Sequence, residues 1–491
     1  MKSFFFQTIK DLPNEVYLFW VTLSFYILLL VINPSNYIIV FSFVLLFIAY
    51  YLKIKKFELS LFFLYTSALI VETGKVYPIQ LLPAGIFPVE IFPNGYFVNL
   101  VITIIHFISF AMLLYMVHWL ILKPRVYKPN LIDLLLIIFV ILKILSAFLG
   151  SKLPALSLPF EALLLSSFVA YFYARFFIKF DMKLWKSLAC LLGALVVFES
   201  LLGFSELAIK SPLGKNLEYL LQIDYFGHAA DETQFTFRSA GTFNHANALG
   251  TWVASLCIFL FVAWLENKSN ILWLSFVLGF SLMLITLSRS AWLGFAVGFL
   301  LLIIYIARHN KNVLRPRFNL ILKWRFLIFP VLLILFVLFV IPRAESSLYS
   351  FQQDAGAVFF RRIQILDAIE IIKLHPIFGV GAVMGVYEGI ALNLYTMTAS
   401  IPLVVDNWYI NTALGNGLVA LFVFIFFLIL SLRKLFESNN NPMLKISIVN
   451  SVICLLVAGI FLSDINTEFI LLLLSLTNGG NIVPANEKKN S

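Results

Sequence analysis

Residues 406–432 read DNWYINTALGNGLVALFVFIFFLILSL. An acid and an amide are followed by Trp408-Tyr409, an aromatic pair of the kind that settles at a membrane interface. The apolar run then continues to Leu432. A helix over Trp408–Leu432 is long enough to cross about 30 Å of hydrocarbon. The runs Tyr17–Ile32, Phe97–Leu122, Ile132–Leu149 and Ile271–Leu287 have the same character. The chain of 491 residues is 61% hydrophobic and only 12% charged, with a mean hydropathy of +0.96, far outside the range of soluble domains. Inside a bilayer every backbone polar group must be satisfied within the protein, so such segments span as helices. The sequence therefore predicts an all-α polytopic transmembrane bundle of about 12–14 spans, with a large, partly helical extracytoplasmic loop.

The net charge is +10. On a soluble protein that would suggest nucleic acid, but the positions of the basic residues exclude this reading. Lys and Arg gather in alternate short loops: Lys53–Lys56, Lys123–Lys128, Arg175–Lys183, Arg308–Arg325 and Arg433-Lys434. Such loops are cytoplasmic by the positive-inside rule. The connections between them hold Lys75, Lys152 and Arg289 as their cations. The N-terminus is expected in the cytoplasm, with its first apolar run retained as a helix, since no small-residue cleavage site follows it. The two longest polar loops, 207–245 and 343–407, fall on the outer side together with Arg289.

Residues 1–206 read as scaffold: helices with short connections and few polar groups. Lys143 and Glu199 are exceptions, each embedded in an apolar run. A charge in that setting needs a partner or a water-filled cavity, so either residue could line a path or make a structural pair. Residues 72–96 carry four prolines and cannot form a regular spanning helix; a re-entrant or surface element at the outer interface is expected. Residues 207–478 hold the polar features and read as the catalytic region, including the loop 343–407. Within that loop, 356–374 has helical periodicity until Pro376 stops it, with Phe359, Ile363, Leu366 and Ile369 as its apolar stripe. Residues 479–491 read as a disordered tail. Cys190, Cys257 and Cys454 all lie inside apolar spans and read as packing residues.

Arg289 occupies a short turn between two spans, where an unpaired guanidinium at the hydrocarbon edge is costly, so it needs an anion. A phospholipid headgroup, a carboxylate of the large loop or a bound diphosphate would each serve. Arg238, Arg361 and Arg362 fall on the same side. Guanidinium forks bind phosphate oxygens bidentately, and converging arginines would suit a diphosphate. Asp367, Glu370 and Lys373 offer local pairing for Arg361 and Arg362 as an alternative, and adjacent helical residues do not share a face. Asp406, where the loop returns to the membrane, could act as a general base or as the N-cap of the helix starting near Trp408. The six histidines form no metal constellation, and neither H-E-x-x-H, D-x-D nor a Walker loop occurs. No metal or cofactor is expected.

Four segments, RSAGTFNHANALG (238–250), TLSRSAWLG (286–294), RRIQILDAIEIIKLHPIFGVG (361–381) and DNWYINTALGNGLVAL (406–421), resemble the O-antigen ligase and polymerase superfamily of bacterial envelope polysaccharide assembly. The resemblance spans about 238–425. It implies a metal-independent integral-membrane glycosyltransferase. Its donor would be an undecaprenyl-diphosphate-linked oligosaccharide and its acceptor a glycan or glycolipid, within the lipid bilayer and alongside other polysaccharide-assembly proteins. By motif position Arg289 and Arg361 correspond to the family's functional arginines, with Asp406 as the base or acceptor-orienting group. Arg238, His245, Asn247, Arg362 and Asn407 are the accompanying substrate-binding candidates. Ligases of this family carry His-Asn where this chain has Asp406-Asn407, a pair that looks more like the polymerase branch. The expectation is a polymerase of lipid-linked repeats, with ligation to a glycolipid or protein acceptor as the second reading. A transporter or flippase is the alternative from another class; it would place broken helices and its site near the midplane.

Overall fold

A computed structural model of the protein describes residues 13–32, 36–70, 74–82, 96–122, 129–211, 213, 238–243, 245–309, 357–382, 384, 385, 388, 405–437, 441–462 and 467–478. The basic loop 123–128, most of the loop 207–245, the segment 310–356 and the tail 479–491 lie outside these residues, as do the expectations that fall on them. The described helices are α1 (Asn14–Ile32), α2 (Asn36–Ile54), α3 (Phe57–Ala68), α4 (Ile104–Leu122), α5 (Leu131–Leu145), α6 (Pro154–Phe177) and α7 (Met182–Ile209). They continue with α8 (Ala246–Asn267), α9 (Asn270–Ile285), α10 (Arg289–His309), α11 (Ala357–Leu374), α12 (Trp408–Glu437), α13 (Pro442–Ala458) and α14 (Thr467–Asn478). Among the described residues nine helices are long and apolar enough to span a bilayer, and four shorter apolar helices accompany them. The all-α polytopic bundle is thus the architecture.

One segment departs from it. Gly74–Leu82 (β1) and Tyr96–Thr103 (β2) pair as an antiparallel hairpin. The described residues of the segment 72–96, Gly74–Leu82 and Tyr96, are accordingly strand and not helix, and the apolar run Phe97–Leu122 is not one helix either. Its first seven residues belong to β2 and α4 begins at Ile104. The reason is local: β-branched and aromatic residues dominate YFVNLVIT, and the Thr103 backbone N–H donates to His106 Nδ1 at 3.0 Å, which starts the helix.

Helix ends follow their capping residues. Asn130 and Asp133 form a capping box on α5, Asp181 caps α7 through the Leu184 N–H, and prolines open α6 and α13. The centre of the bundle is α7 and α8, whose side chains are almost wholly buried. Helix α8 packs against α9, α10 and α13, while α7 packs against α1 and α9. Residues of the two halves interleave: α5 lies against α12 and α6 against α14. Peripheral helices keep large apolar residues outward, for example Val31 at 77% and Ile121 at 73% exposed. In water such a surface would be a liability, whereas in lipid it matches the solvent.

Helix α12 is not continuous. Gly417 leaves the helical conformation at φ 85°, ψ 163°, a left-handed backbone that glycine alone adopts freely. A break frees carbonyls of the preceding turn, and the glycine-rich turn after α11 takes them. Val380 N–H donates to Leu414 O and Gly381 N–H to Gly415 O, both at 2.9 Å, while Leu418 N–H donates back to Pro376 O at 2.8 Å. A side chain at Gly417 would put its Cβ 2.0 Å from Ile377 O. Two of the chain's motif segments are therefore fastened together by backbone alone.

Candidate active site

Arg361 and Asp406 are brought together. Arg361 lies in the first turns of α11, and Asp406 precedes α12 by two residues. Arg361 Nε donates to Asp406 Oδ2 at 2.8 Å, with side-chain exposures of 29% and 23%. The N-cap of α12 is the neighbouring residue: Asn407 Oδ1 accepts from Ile410 N–H at 3.0 Å, and Asn407 Nδ2 donates to Ile460 O at 2.9 Å. Of the two roles open to Asp406, capping is filled by Asn407, and the carboxylate faces the guanidinium instead. An asparagine at a helix start accepts the N3 amide as well as an aspartate does, which explains how the adjacent acid is released from that duty.

Arg289 opens α10 after a turn in which Leu287 takes a left-handed φ of 55°. Helix α10 runs antiparallel to α13, as its contacts show: a Cβ at Gly294 would lie 2.5 Å from Cys454 O and one at Gly298 2.8 Å from Asn450 O. Extending this register sets Arg289 level with the 3-10 turn Gly459–Phe461 that ends α13, and α10 touches that turn. Asn407 bonds to Ile460 of the same turn. Arg289, Asn407 and the Arg361–Asp406 pair therefore occupy one end of the bundle.

The Arg238–Asn247 segment is tied to this end from the other side. Arg238 Nε donates to Thr286 O at 3.0 Å, and its Nη2 donates to Asn247 Oδ1. One guanidinium thus links the start of α8 to the turn that presents Arg289. His245 is the N-cap of α8, its Nδ1 accepting from Asn247 N–H at 2.9 Å. All three side chains of these substrate-binding candidates make contacts within the fold at this point. The segment itself is held by two buried acids of α7. Glu206 Oε2 accepts from Ser239 Oγ at 2.7 Å and Gly241 N–H at 3.0 Å, and Glu199 Oε2 accepts from Thr242 N–H at 3.1 Å. Glu199 is thereby a structural acceptor, and so is Glu206, whose Oε1 also accepts from Leu213 N–H at 3.1 Å; the sequence pattern does not single Glu206 out, because it stands near the end of an apolar helix and Ser239 and Gly241 lie far along the chain.

On α11 the buried face is Gln364, Asp367, Ala368 and Ile371, not the expected stripe. Leu366 and Ile369 point outward at 53% and 37% exposure, and Phe359 lies outside the residues whose side chains are described. A stripe drawn for water assigns apolar residues to the core, but a helix on a membrane protein can turn them to lipid and bury its polar face against protein. Arg362 is exposed beside half-buried Arg361, in keeping with their different directions. Lys373 pairs with Glu370 at 2.6 Å on the surface. After α11, Glu388 holds Lys152 at 2.8 Å and His375 at 3.2 Å. Burial raises the Glu388 carboxyl, and the hydrogen bonds from Lys152 and His375 outweigh it, so its pKa falls below the usual carboxylate value.

The fold and this end of the bundle define a polytopic membrane protein with an arginine and carboxylate site at one terminus of its helices. Residues 274–425 match the family model described as O-Antigen ligase, which supports the O-antigen ligase and polymerase superfamily over that stretch and, at a coarse level, a glycan-processing function in the membrane. No curated protein matches the chain. The matched stretch contains Arg289, Arg361, Arg362, Asp406 and Asn407, whereas the segment 238–250 precedes it. That segment is joined to the matched domain by the Arg238 bond to Thr286.

Proposed function

We propose that the protein is a glycosyltransferase that polymerises undecaprenyl-diphosphate-linked oligosaccharide repeats at the outer face of a bacterial cytoplasmic membrane, with its N-terminus in the cytoplasm and residues 207–478 as the catalytic region. The observation that carries this reading is the half-exposed Arg361–Asp406 pair, relieved of capping by Asn407 and set at the same end as Arg289. In the reaction an acceptor hydroxyl forms a bond to the anomeric carbon of the donor sugar. The bond from that carbon to the lipid diphosphate breaks, and the diphosphate leaves with the electron pair. Arg289 and Arg361 stabilise its growing charge, as positioned cations do for a developing anion. The hydroxyl proton goes to Asp406.

The pair also implies an order of events. Arg361 and Asp406 satisfy one another across 2.8 Å. A diphosphate competes for the guanidinium, to which it offers several oxygens, and Asp406 becomes available to the acceptor as the donor is gripped. Two readings are weighed against this one. The matched family is described as O-Antigen ligase, which supports transfer to a separate glycolipid or protein acceptor. The break in α12 is a feature a transporter would use, but the carbonyls of Leu414 and Gly415 are taken by the loop turn, which weighs against an ion site there.

The test is an assay of purified protein with undecaprenyl-diphosphate oligosaccharide, with and without a second glycolipid, products being resolved by size. A ladder from donor alone is the expected result. Product only with the second acceptor would replace polymerase by ligase, and no product in either arm would remove the enzyme reading.

A further inference from the structure

Below the break in α12 lies a charge cluster that the proposed reaction does not use. Lys143 on α5 and Glu161 on α6 form an ion pair of 2.9 Å, with side-chain exposures of 9% and 1%. Asn416, the residue before the break, sits between them: its Oδ1 accepts from Lys143 Nζ at 3.0 Å and its Nδ2 donates to Glu161 Oε1 at 2.6 Å. Just beyond, α5 widens into a π-turn, Ser146–Gly150. Ser146 Oγ donates to Gly415 O at 2.5 Å, and a Cβ at Gly150 would lie 2.4 Å from Gly379 O. Helices α5 and α6 thus grip the break and the loop turn together.

That turn is the direct continuation of α11. His375 N–H bonds to Ile371 O and Gly379 N–H to His375 O, each at 3.0 Å. From the break, α11 runs about 20 Å back to Arg361 and the first segment of α12 about 16 Å back to Asp406, at ~1.5 Å per residue. Two rods of similar length are fastened at one end by the backbone lock and meet at the other in the Arg361–Asp406 pair. A shift at the lock is carried to that pair. A buried ion pair is weak evidence for stability, since an apolar pair of the same volume is often at least as good. Intramembrane charges cost still more. What the cluster supplies, and apolar residues would not, is a unique rotational setting of Asn416.

We propose that Lys143, Glu161 and Asn416 are positioning residues of the active site: through the α12 break and the 376–381 turn they set the geometry of Arg361 against Asp406. This rests on the glycosyltransferase reading for its effect on turnover, but the lock itself is measurable without it. Full-length protein in nanodiscs is compared with Lys143→Met and Glu161→Gln by hydrogen exchange over 375–385 and over α8, and by turnover of undecaprenyl-diphosphate oligosaccharide. In each variant we expect exchange over 375–385 to rise at least tenfold with α8 unchanged, and turnover to fall at least tenfold. Lys143→Glu combined with Glu161→Lys should recover both readouts in part, because the Asn416 amide can rotate to serve the exchanged charges. Unchanged exchange over 375–385, or an equal rise over 375–385 and α8, overturns the proposal. So does accelerated exchange at 375–385 with full turnover. A wild-type protein without turnover would instead count against the glycosyltransferase reading, and the exchange data would still decide the lock.

Discussion

Two arginine–aspartate pairs in this protein use the same chemistry in opposite ways. Arg175 and Asp133 are joined by two short contacts, 2.6 and 2.8 Å, with side-chain exposures of 8% and 0%. Arg361 and Asp406 meet through Nε at 2.8 Å, with exposures of 29% and 23%. The first pair ties α5 to α6 and is engaged by both forks, so it is closed to any ligand. The second joins the starts of α11 and α12, and its contact leaves the terminal guanidinium nitrogens out. A closed pair holds helices, and a half-open pair can exchange its partner for a substrate.

Separate substitutions should break this comparison if it is wrong. Asp133→Asn leaves Arg175 buried beside a neutral amide, so stability should fall by about 3–5 kcal/mol, read as thermal unfolding in detergent. The turnover of the molecules that remain folded should be close to wild type. Arg361→Ala should do the reverse, lowering turnover by about 10²–10³-fold, as loss of a positioned charge-stabilising donor does, with the unfolding temperature held, since a part-exposed ion pair adds little to stability. Equal effects of the two substitutions on stability would erase the distinction.

Asn407→Ala tests whether cap and chemistry are separate: it should cost about 1 kcal/mol in stability, and Asn407→Asp should recover only the part due to the cap, because a carboxylate cannot donate to Ile460 O. The smallest expected effect is at Glu388. Its lowered pKa means that its contribution to the loop is fully present above the ordinary carboxylate value of 4.5 and is lost as pH falls through the lower folded value. Proteolysis of the loop should therefore stay level at neutral pH and quicken in acid, and Glu388→Gln should remove that acid dependence.

Much of the frame was legible because bilayer physics is strict. Span length and apolar composition marked the helices, and the helix 357–374 ended before Pro376 as its pattern required. The candidate motifs also named Arg361 and Asp406, although nothing in their spacing required them to touch. Other features were hidden for identifiable reasons. Gly417 looks like one more small residue in an apolar run, and its break becomes necessary only when the Pro376–Gly381 turn docks on it. The cap fell to Asn407 because both members of Asp406-Asn407 are good caps, a tie that local propensity cannot resolve. The partner of Lys143 was invisible because Glu161 lies on another helix. The buried face of α11 is hidden because apolar residues mark the core only where water is the solvent, and here Gln364 and Asp367 are buried while Leu366 and Ile369 face outward.

The most direct test of the central claim is the turnover and donor affinity of Asp406→Asn. Asn407 keeps the cap, so the fold should be unaffected. Without the carboxylate, Arg361 is no longer shared, and the donor should bind more tightly. Loss of the proton acceptor should lower turnover by about 10²–10⁴-fold. Tighter donor binding with collapsed turnover is the predicted result. Near-normal turnover, or weaker donor binding with a matching loss of stability, would contradict it and return Asp406 to a structural role.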